Sequence, residues 1–274
     1  MGIPVISMLV PTMGNPWHLD TTVRSALQNC ERGTVEVNIF SNCHDERTDE
    51  VVEGFRKDGL PARLVGQSKQ NEGVSCAVNV CAAASRGSFI YYTGDDYYLL
   101  PGWDAALLSR VVPGAWQYLT PRSIERTGTN PSMYAPHDFG NGPDDFRETD
   151  LLTFWDTLKK EDVVSRYGPP FVAAGVWKAA GGFDEGYWPG FGTDPDFAIS
   201  IAYQAKQVGA PYQFLGVGDS GIYHFGCITT ARMRSYGATQ AANIRFQTKW
   251  GVTTYQFGES IGEGKPPVIE VRSA

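Results

Sequence analysis

Two adjacent carboxylates, a second carboxylate pair about a hundred residues on, and one late histidine carry the chemistry that this chain can offer. Asp95 and Asp96 end the run Phe89-Ile90-Tyr91-Tyr92-Thr93-Gly94, which is apolar, β-branched and aromatic and reads as a strand. The strand thus delivers two negative charges to one edge, where they repel each other unless a cation lies between them. Hard carboxylate oxygens at the carboxyl end of a strand suit Mg²⁺ or Mn²⁺, and such an ion can hold a diphosphate. The same two residues can also be read as turn formers ahead of Pro101-Gly102-Trp103.

The second constellation is Gly181-Gly182-Phe183-Asp184-Glu185, followed by Pro189-Gly190-Phe191-Gly192-Thr193-Asp194-Pro195-Asp196. The third is Tyr223-His224-Phe225-Gly226. Two carboxylates and a neutral imidazole can complete a divalent site, and Asp194, at the start of a helix pattern, is available as a separate general base. Each has a plainer reading. Asp194 and Asp196 can be a helix-capping pair, His224 a buried core histidine, and Asn71 and Asn79 a cap and a surface polar group. Trp103 and Trp188 read as packing residues, although Trp188-Pro189-Gly190 can also line an acceptor site. Arg232 and Arg234 read as solvated, or as a pair that closes over a diphosphate.

The elements that must position these groups alternate. Strand patterns cover Pro4 to Val10, Val35 to Phe40, Ala62 to Val65 and Phe89 to Thr93. Helical spacing covers Leu19 to Asn29, Asp45 to Lys57 and Gly73 to Ser85. Such alternation predicts an α/β fold with a mostly parallel, Rossmann-like sheet, helices on both faces, and ligands at the carboxyl ends of the strands. From Pro121 to Asp150 the composition turns to Gly, Pro, Asn and Asp, which predicts a long mobile loop over the acceptor. Further on, Leu151 to Glu161, Asp196 to Val208 and roughly Ala231 to Trp250 read as helices, Phe171 to Ala180 as strand into helix, and Gln213 to Val217 with Ile222 to His224 as strand. A Gly/Pro-rich tail closes the chain. The organisation expected is one domain in two halves, about 1–105 and about 106–251, with 252–274 as the tail.

The 274 residues suffice for a substantial core, with 42% hydrophobic and 12% aromatic residues. A formal charge of −7 argues against a broad grip on nucleic-acid phosphates. No apolar run approaches the ~20 residues that cross a bilayer. The N-terminus has no basic region ahead of its strand pattern, which speaks against a secretory signal. Five cysteines (Cys30, Cys43, Cys76, Cys81 and Cys227) have no C-x-x-C spacing and read as small buried residues in a reducing, cytoplasmic setting.

Taken together, these motifs resemble a family 2 glycosyltransferase of the GT-A fold, from roughly Pro4 to Gly251. Val10-Pro11-Thr12 resembles the end of the family's opening strand, which touches the nucleotide base. Asn71-Glu72-Gly73 with Ala77 and Asn79 resembles the N-x-G-x-x-x-A-x-N segment. Asp95-Asp96 with Pro101-Gly102-Trp103 resembles the D-x-D region and its sequel. Gly181 to Glu185 with Asp194-x-Asp196 resembles the G-G-F-D-E…E-D-x-D block, and Lys249-Trp250-Gly251 the C-terminal K-W-G. Each motif is short, and it is their joint order and spacing that carries the resemblance.

The resemblance implies a metal-dependent, inverting transferase using a nucleotide-diphosphate sugar, with a UDP-sugar as the default donor. Asp96 and His224 would hold Mn²⁺ or Mg²⁺, Asp95 would contact the ribose or a metal-bound water, and Asp194 would be the base. Pro11, Thr12, Ser41, Asn71, Gly73 and Asn79 would meet the donor, so that about 1–105 would be the nucleotide-sugar half and about 106–251 the acceptor half. The acceptor implied is a saccharide or glycolipid precursor, with a modified DNA base made less favourable by the acidic balance. Three departures stand out: Gly94 occupies the first D-x-D position, Ser41 stands where a base-recognising Asp is common, and Thr193 replaces the Glu before Asp194. Two other classes stay open at this level: a hydrolase with paired carboxylates such as Asp96 and Asp194, and a nucleotide-sugar- or carbohydrate-binding module without turnover.

Overall fold

The structure is a computed structural model describing residues 5–126, 136–164, 168–226, 233 and 235–262. Arg232, Arg234 and Cys227 lie outside the described residues. Eight strands form one sheet in the order β3-β2-β1-β4-β7-β6-β8-β5. The first half is the expected parallel arrangement: β1 (Ile6–Thr12) pairs with β2 (Val35–Ser41) and β4 (Phe89–Tyr92), and β2 pairs with β3 (Ala62–Gln67). All seven residues of β1 and of β2 are buried, because helices cover both faces. Successive side chains divide between those faces. Ile6, Met8 and Val10 join one core cluster and Leu9 the other.

One face carries α1 (Pro16–Gln28), α2 (Glu46–Lys57) and α4 (Trp103–Ser109). The other carries α3 (Val74–Ala83), α6 (Ala174–Ala180) and α7 (Thr193–Gln207), with α8 (Tyr236–Trp250) and α9 (Thr254–Gly262) packed on the same cluster. Local signals explain the clear helices. Pro16 opens α1, and Asp45 caps α2 by accepting from the Thr48 N–H, with acidic residues in its first turn and basic ones in its last.

The sheet is mostly parallel, as expected, but mixed rather than purely parallel. β7 (Phe171–Ala173) runs antiparallel to both β4 and β6 (Trp116–Glu125), and β5 (Tyr97–Leu99) antiparallel to β8 (Tyr212–His224). β6 and β8 are parallel. β6 corrects the expected loop: Pro121 to Glu125 is strand. A proline ordinarily demotes a central strand, but Pro121 sits at a register shift against β8.

Within the Pro121 to Asp150 segment, residues 136–150 are also better anchored than the composition implies, and residues 127–135 lie outside the described residues. Residues 136–147 bury Phe139 and pack Phe146 into a third, aromatic cluster with α5 (Glu148–Thr157). Tyr223 on β8 pins this stretch, its hydroxyl accepting from the Phe139 N–H at 3.0 Å and donating to the Gly140 carbonyl at 2.7 Å. Ring contacts of Phe146 with Tyr223 and Phe225 supply the apolar hold that the sequence reading lacked. Likewise, the expected tail begins as helix α9, whose Phe257 and Ile261 are buried. Of the cysteines, Cys81 is buried as expected, whereas Cys43 is exposed; all four described cysteines are free. Among the described residues no helix is long and apolar enough to cross a membrane.

Candidate active site

A cavity of about 260 Å³ opens at the carboxyl ends of β1 and β4. It gathers Pro11, Thr12, Asn71, Asp95, Asp96, Asp194 and His224 from five separate stretches of chain. Asp95 and Asp96 leave β4 on the short connection to β5, so the end of the strand aims both into the cavity. Asp95 is buried, and its Oδ2 accepts from the Thr12 hydroxyl at 2.5 Å and the Asn15 side-chain amide at 3.2 Å. Burial, and then the charge of Asp96, push the Asp95 carboxyl well above the usual range, against those hydrogen bonds. A positive charge at this edge would relieve that cost.

His224 closes β8 and is also buried. Its ring stacks on Tyr97 of β5, centroids 4.6 Å apart, and its two nitrogens face two carboxylates. Nε2 lies 3.3 Å from Asp96 Oδ2, and Nδ1 lies 3.3 Å from Glu125 Oε1. Octahedral Mg²⁺ has bonds of ~2.1 Å, which set neighbouring ligands about 3 Å apart. The Asp96–His224 spacing and the hard oxygen beside an imidazole therefore fit a shared divalent ion. Among the described residues no group of three or more His, Cys, Asp or Glu side chains forms a metal cluster. Two protein ligands suit an ion that keeps waters and substrate phosphates as its other partners.

Asp194 stands in the first turn of α7. Gly190 and Gly192 make this turn possible: both have positive φ, and a Cβ on Gly190 would lie 2.9 Å from Val74 Cβ. The carboxyl is densely packed yet keeps some exposure toward the cavity, and burial pushes it up to about 7. That value suits a base working near neutral pH. Thr193, in place of the expected Glu, turns its hydroxyl to Ser75 at 3.1 Å.

Asp196 is different. It is buried, and its Oδ1 accepts from Tyr187 Oη at 2.9 Å and Trp250 Nε1 at 2.7 Å, while Lys249 Nζ reaches Oδ2 at 2.9 Å. Lys249 also pairs with Asp184, as does Arg245. Burial pushes Asp184 up, but the Lys249 and Arg245 hydrogen bonds outweigh it and bring the carboxyl down to about 2. The Lys249-Trp250 motif is thus a clamp that binds α8 to the loop and helix carrying Asp194.

Three expected donor contacts lie outside the cavity lining. Ser41 is fully buried, its hydroxyl without a hydrogen-bond partner among the described residues, and the next residue, Asn42, lines the cavity instead. Asn79 staples α3 to the Gly181–Glu185 loop: its side chain accepts from the Phe183 N–H and donates to the Phe183 carbonyl and to Glu185. Gly73 caps α3 behind the rim, where a Cβ would come within 3.0 Å of Trp188 Cδ1. Trp103 is packed as expected, but Trp188 is 61% exposed, with its indole N–H bonded to the Asn71 carbonyl at 3.1 Å. Sequence reasoning missed Glu125 altogether, because it belongs to the unrecognised strand β6, where it is the register partner of His224.

The profile of glycosyl transferase family 2 matches residues 7–156, more than half of the chain. The chain belongs to glycosyl transferase family 2. Among solved structures, this family 2 protein resembles S. aureus TarS, at 14% identity and TM-score 0.56, over 88% of this chain and 39% of that one. It also resembles GalNAc-T7, solved with UDP, GalNAc and Mn²⁺, at 16% identity and TM-score 0.63, over 94% and 50% of the two chains. The mannosyltransferase PcManGT from Pyrobaculum calidifontis, in complex with GDP-Man and Mn²⁺, matches at 15% identity and TM-score 0.55, over 97% and 67%. These likenesses show the GT-A fold. The family 2 chain spans about two fifths of TarS and half of the GalNAc-T7 chain. No curated protein matches it in sequence. Asp95, Asp96 and Glu125 fall within the matched stretch, whereas Asp194 and His224 lie beyond it.

Proposed function

We propose that this family 2 protein is a metal-dependent, inverting glycosyltransferase that moves a sugar from a nucleotide-diphosphate sugar to an acceptor hydroxyl. The observation that carries the reading is the sharing of one cavity by Asp96, His224 and a separate carboxylate, Asp194, whose pKa is raised to about 7. Asp96 and His224 would hold Mn²⁺ or Mg²⁺, which as a Lewis acid neutralises charge on the departing diphosphate. Asp95, held by Thr12 and Asn15, would contact the ribose or a metal-bound water. Pro11, Thr12, Asn42 and Asn71 line the donor side. Asp194 takes the proton from the attacking acceptor hydroxyl.

The bound UDP, GDP-Man and Mn²⁺ of the structural neighbours support a nucleotide-sugar donor and a divalent ion, with a UDP-sugar as the default. The acceptor proposed is a saccharide or glycolipid precursor, and the setting a reducing cytoplasm in which the cysteines stay free. Calorimetry with UDP and with GDP, each with and without Mn²⁺, tests the donor and metal together. Binding should require the ion and should weaken more in Asp96→Ala than in Asp95→Ala. Equal affinity in EDTA would remove the metal from the reading. Turnover of UDP-, GDP- and TDP-sugars, with NMR of the product anomer, then tests transfer and inversion.

A further inference from the structure

Glu125 is the carboxylate that none of the motifs anticipates, and it stands behind the histidine rather than on the cavity wall. It ends β6 in register with His224 on β8, and Tyr97 of β5 is the register partner of His224 on the other side. The imidazole is therefore held on three sides: Tyr97 stacks on its face, Asp96 lies at Nε2, and Glu125 lies at Nδ1. The Ser123 hydroxyl donates to Glu125 Oε1 at 2.9 Å and fixes the oxygen that faces the ring.

We infer that Glu125 is a positioning residue for the cation site, holding the His224 proton on Nδ1 so that the Nε2 lone pair faces Asp96 and the ion. A neutral imidazole can bind a metal only through its unprotonated nitrogen, and the partner of the other nitrogen decides which one that is. With Asp96 as the only carboxylate beside the ring, the proton would settle on Nε2, toward Asp96, and block the ligand position. Glu125 supplies the competing acceptor. At 3.3 Å Glu125 Oε1 is within ion-pair distance of Nδ1 but poorly aligned for a hydrogen bond, and a rotation of either side chain would align the two. Its oxygen touches the ring and not the cavity, so it would act on the ion only through the imidazole.

This inference rests on the metal reading above, and the test separates the two. Mn²⁺ binding to the full, metal-stripped chain is followed through the electron paramagnetic resonance signal of free Mn²⁺. Glu125→Ala should weaken binding about 10–100-fold, the usual effect of removing such an outer partner. Glu125→Gln, which keeps an acceptor oxygen and the same shape, should lose less, and both should retain the wild-type circular dichroism. In a His224→Ala background, Glu125→Ala should cost nothing further, because Glu125 acts through the ring. In ¹⁵N NMR of the metal-free protein, His224 should carry its proton on Nδ1 in the wild type and lose that preference in Glu125→Ala.

A wild type that takes up no Mn²⁺ at millimolar concentration removes the metal reading and this inference with it. A wild type that binds while Glu125→Ala binds within about twofold overturns this inference alone. A further loss in the His224→Ala background would make Glu125 a direct ligand and would equally overturn it.

Discussion

Replacing Asp194 by Asn should separate catalysis from folding, because the structure gives the carboxylate a cost in one and a role in the other. Asn keeps the size and the first-turn position but removes the charge. In the wild type the carboxyl titrates near 7 when folded and near 3.8 when exposed. The folded state therefore binds the proton more tightly, so the wild type is relatively more stable below pH ~4 and loses that advantage as pH rises toward 7. Three pKa units at 1.36 kcal/mol each set a ceiling of ~4 kcal/mol. The amino end of α7 returns up to ~1 kcal/mol by favouring the charge, and residual exposure lowers the figure further. Asp194→Asn should accordingly be about 2–3 kcal/mol more stable than wild type at pH 8, with the gap narrowing toward pH 5. Urea unfolding of the metal-free proteins at both pH values measures it. Turnover should fall ~10²–10⁴-fold, while Mn²⁺ and nucleoside diphosphate binding stay near wild type. In the wild type, kcat/KM should rise with pH through about 7 as the base deprotonates. Unchanged stability at pH 8 would refute the buried-carboxylate argument, and retained turnover would refute the base assignment.

Asp196→Asn should behave oppositely. It removes one end of the Lys249 pair and disturbs the acceptor shared by Tyr187 and Trp250, so stability should drop by ~1–3 kcal/mol and the melting temperature by several degrees; calorimetry in which it melts with the wild type would contradict the clamp. Gly73→Ala should cost ~1–3 kcal/mol, since φ +87° and ψ 163° suit glycine almost alone. The new methyl should also push the Trp188 indole off the Asn71 carbonyl, seen as a change in tryptophan emission absent from a Gly59→Ala control, where a Cβ meets open space.

The parts of the fold legible in the sequence are those whose burial is decided within the segment. β1 and β2 are covered on both faces, so their apolar runs are unbroken, and α2 announces itself by its cap and its charge gradient. Asp95, Asp96, Asp194 and His224, which share the cavity, stood out because each interrupts an apolar or glycine-rich pattern, although a turn, a helix cap or a core histidine explains each one singly. What escaped depends on distant partners. β5 is three residues long and exists by pairing with β8, while β6 carries a proline that only a register shift accommodates. Asn42 and Ser41 differ by one position, and only the end of the strand decides which side chain meets the cavity. Asp196 looked like the twin of Asp194 until residues 187, 249 and 250 came to it.

The place of β7 in the sheet bears on how such a chain can be recombined. Three residues from beyond position 170 lie between β4 and β6, and the Phe171 ring stacks on Phe89 of β4 with centroids 5.0 Å apart. β5, from the first hundred residues, in turn lies on β8 at the far edge. A crossover near residue 105 would give β4 a foreign neighbour and leave β5 to pair with a foreign edge. The strand that delivers Asp95 and Asp96 and the strand that ends in His224 would thus have to be exchanged together. Substitutions in the loops leave this seam intact, whereas exchange of a whole half would have to carry its matching seam.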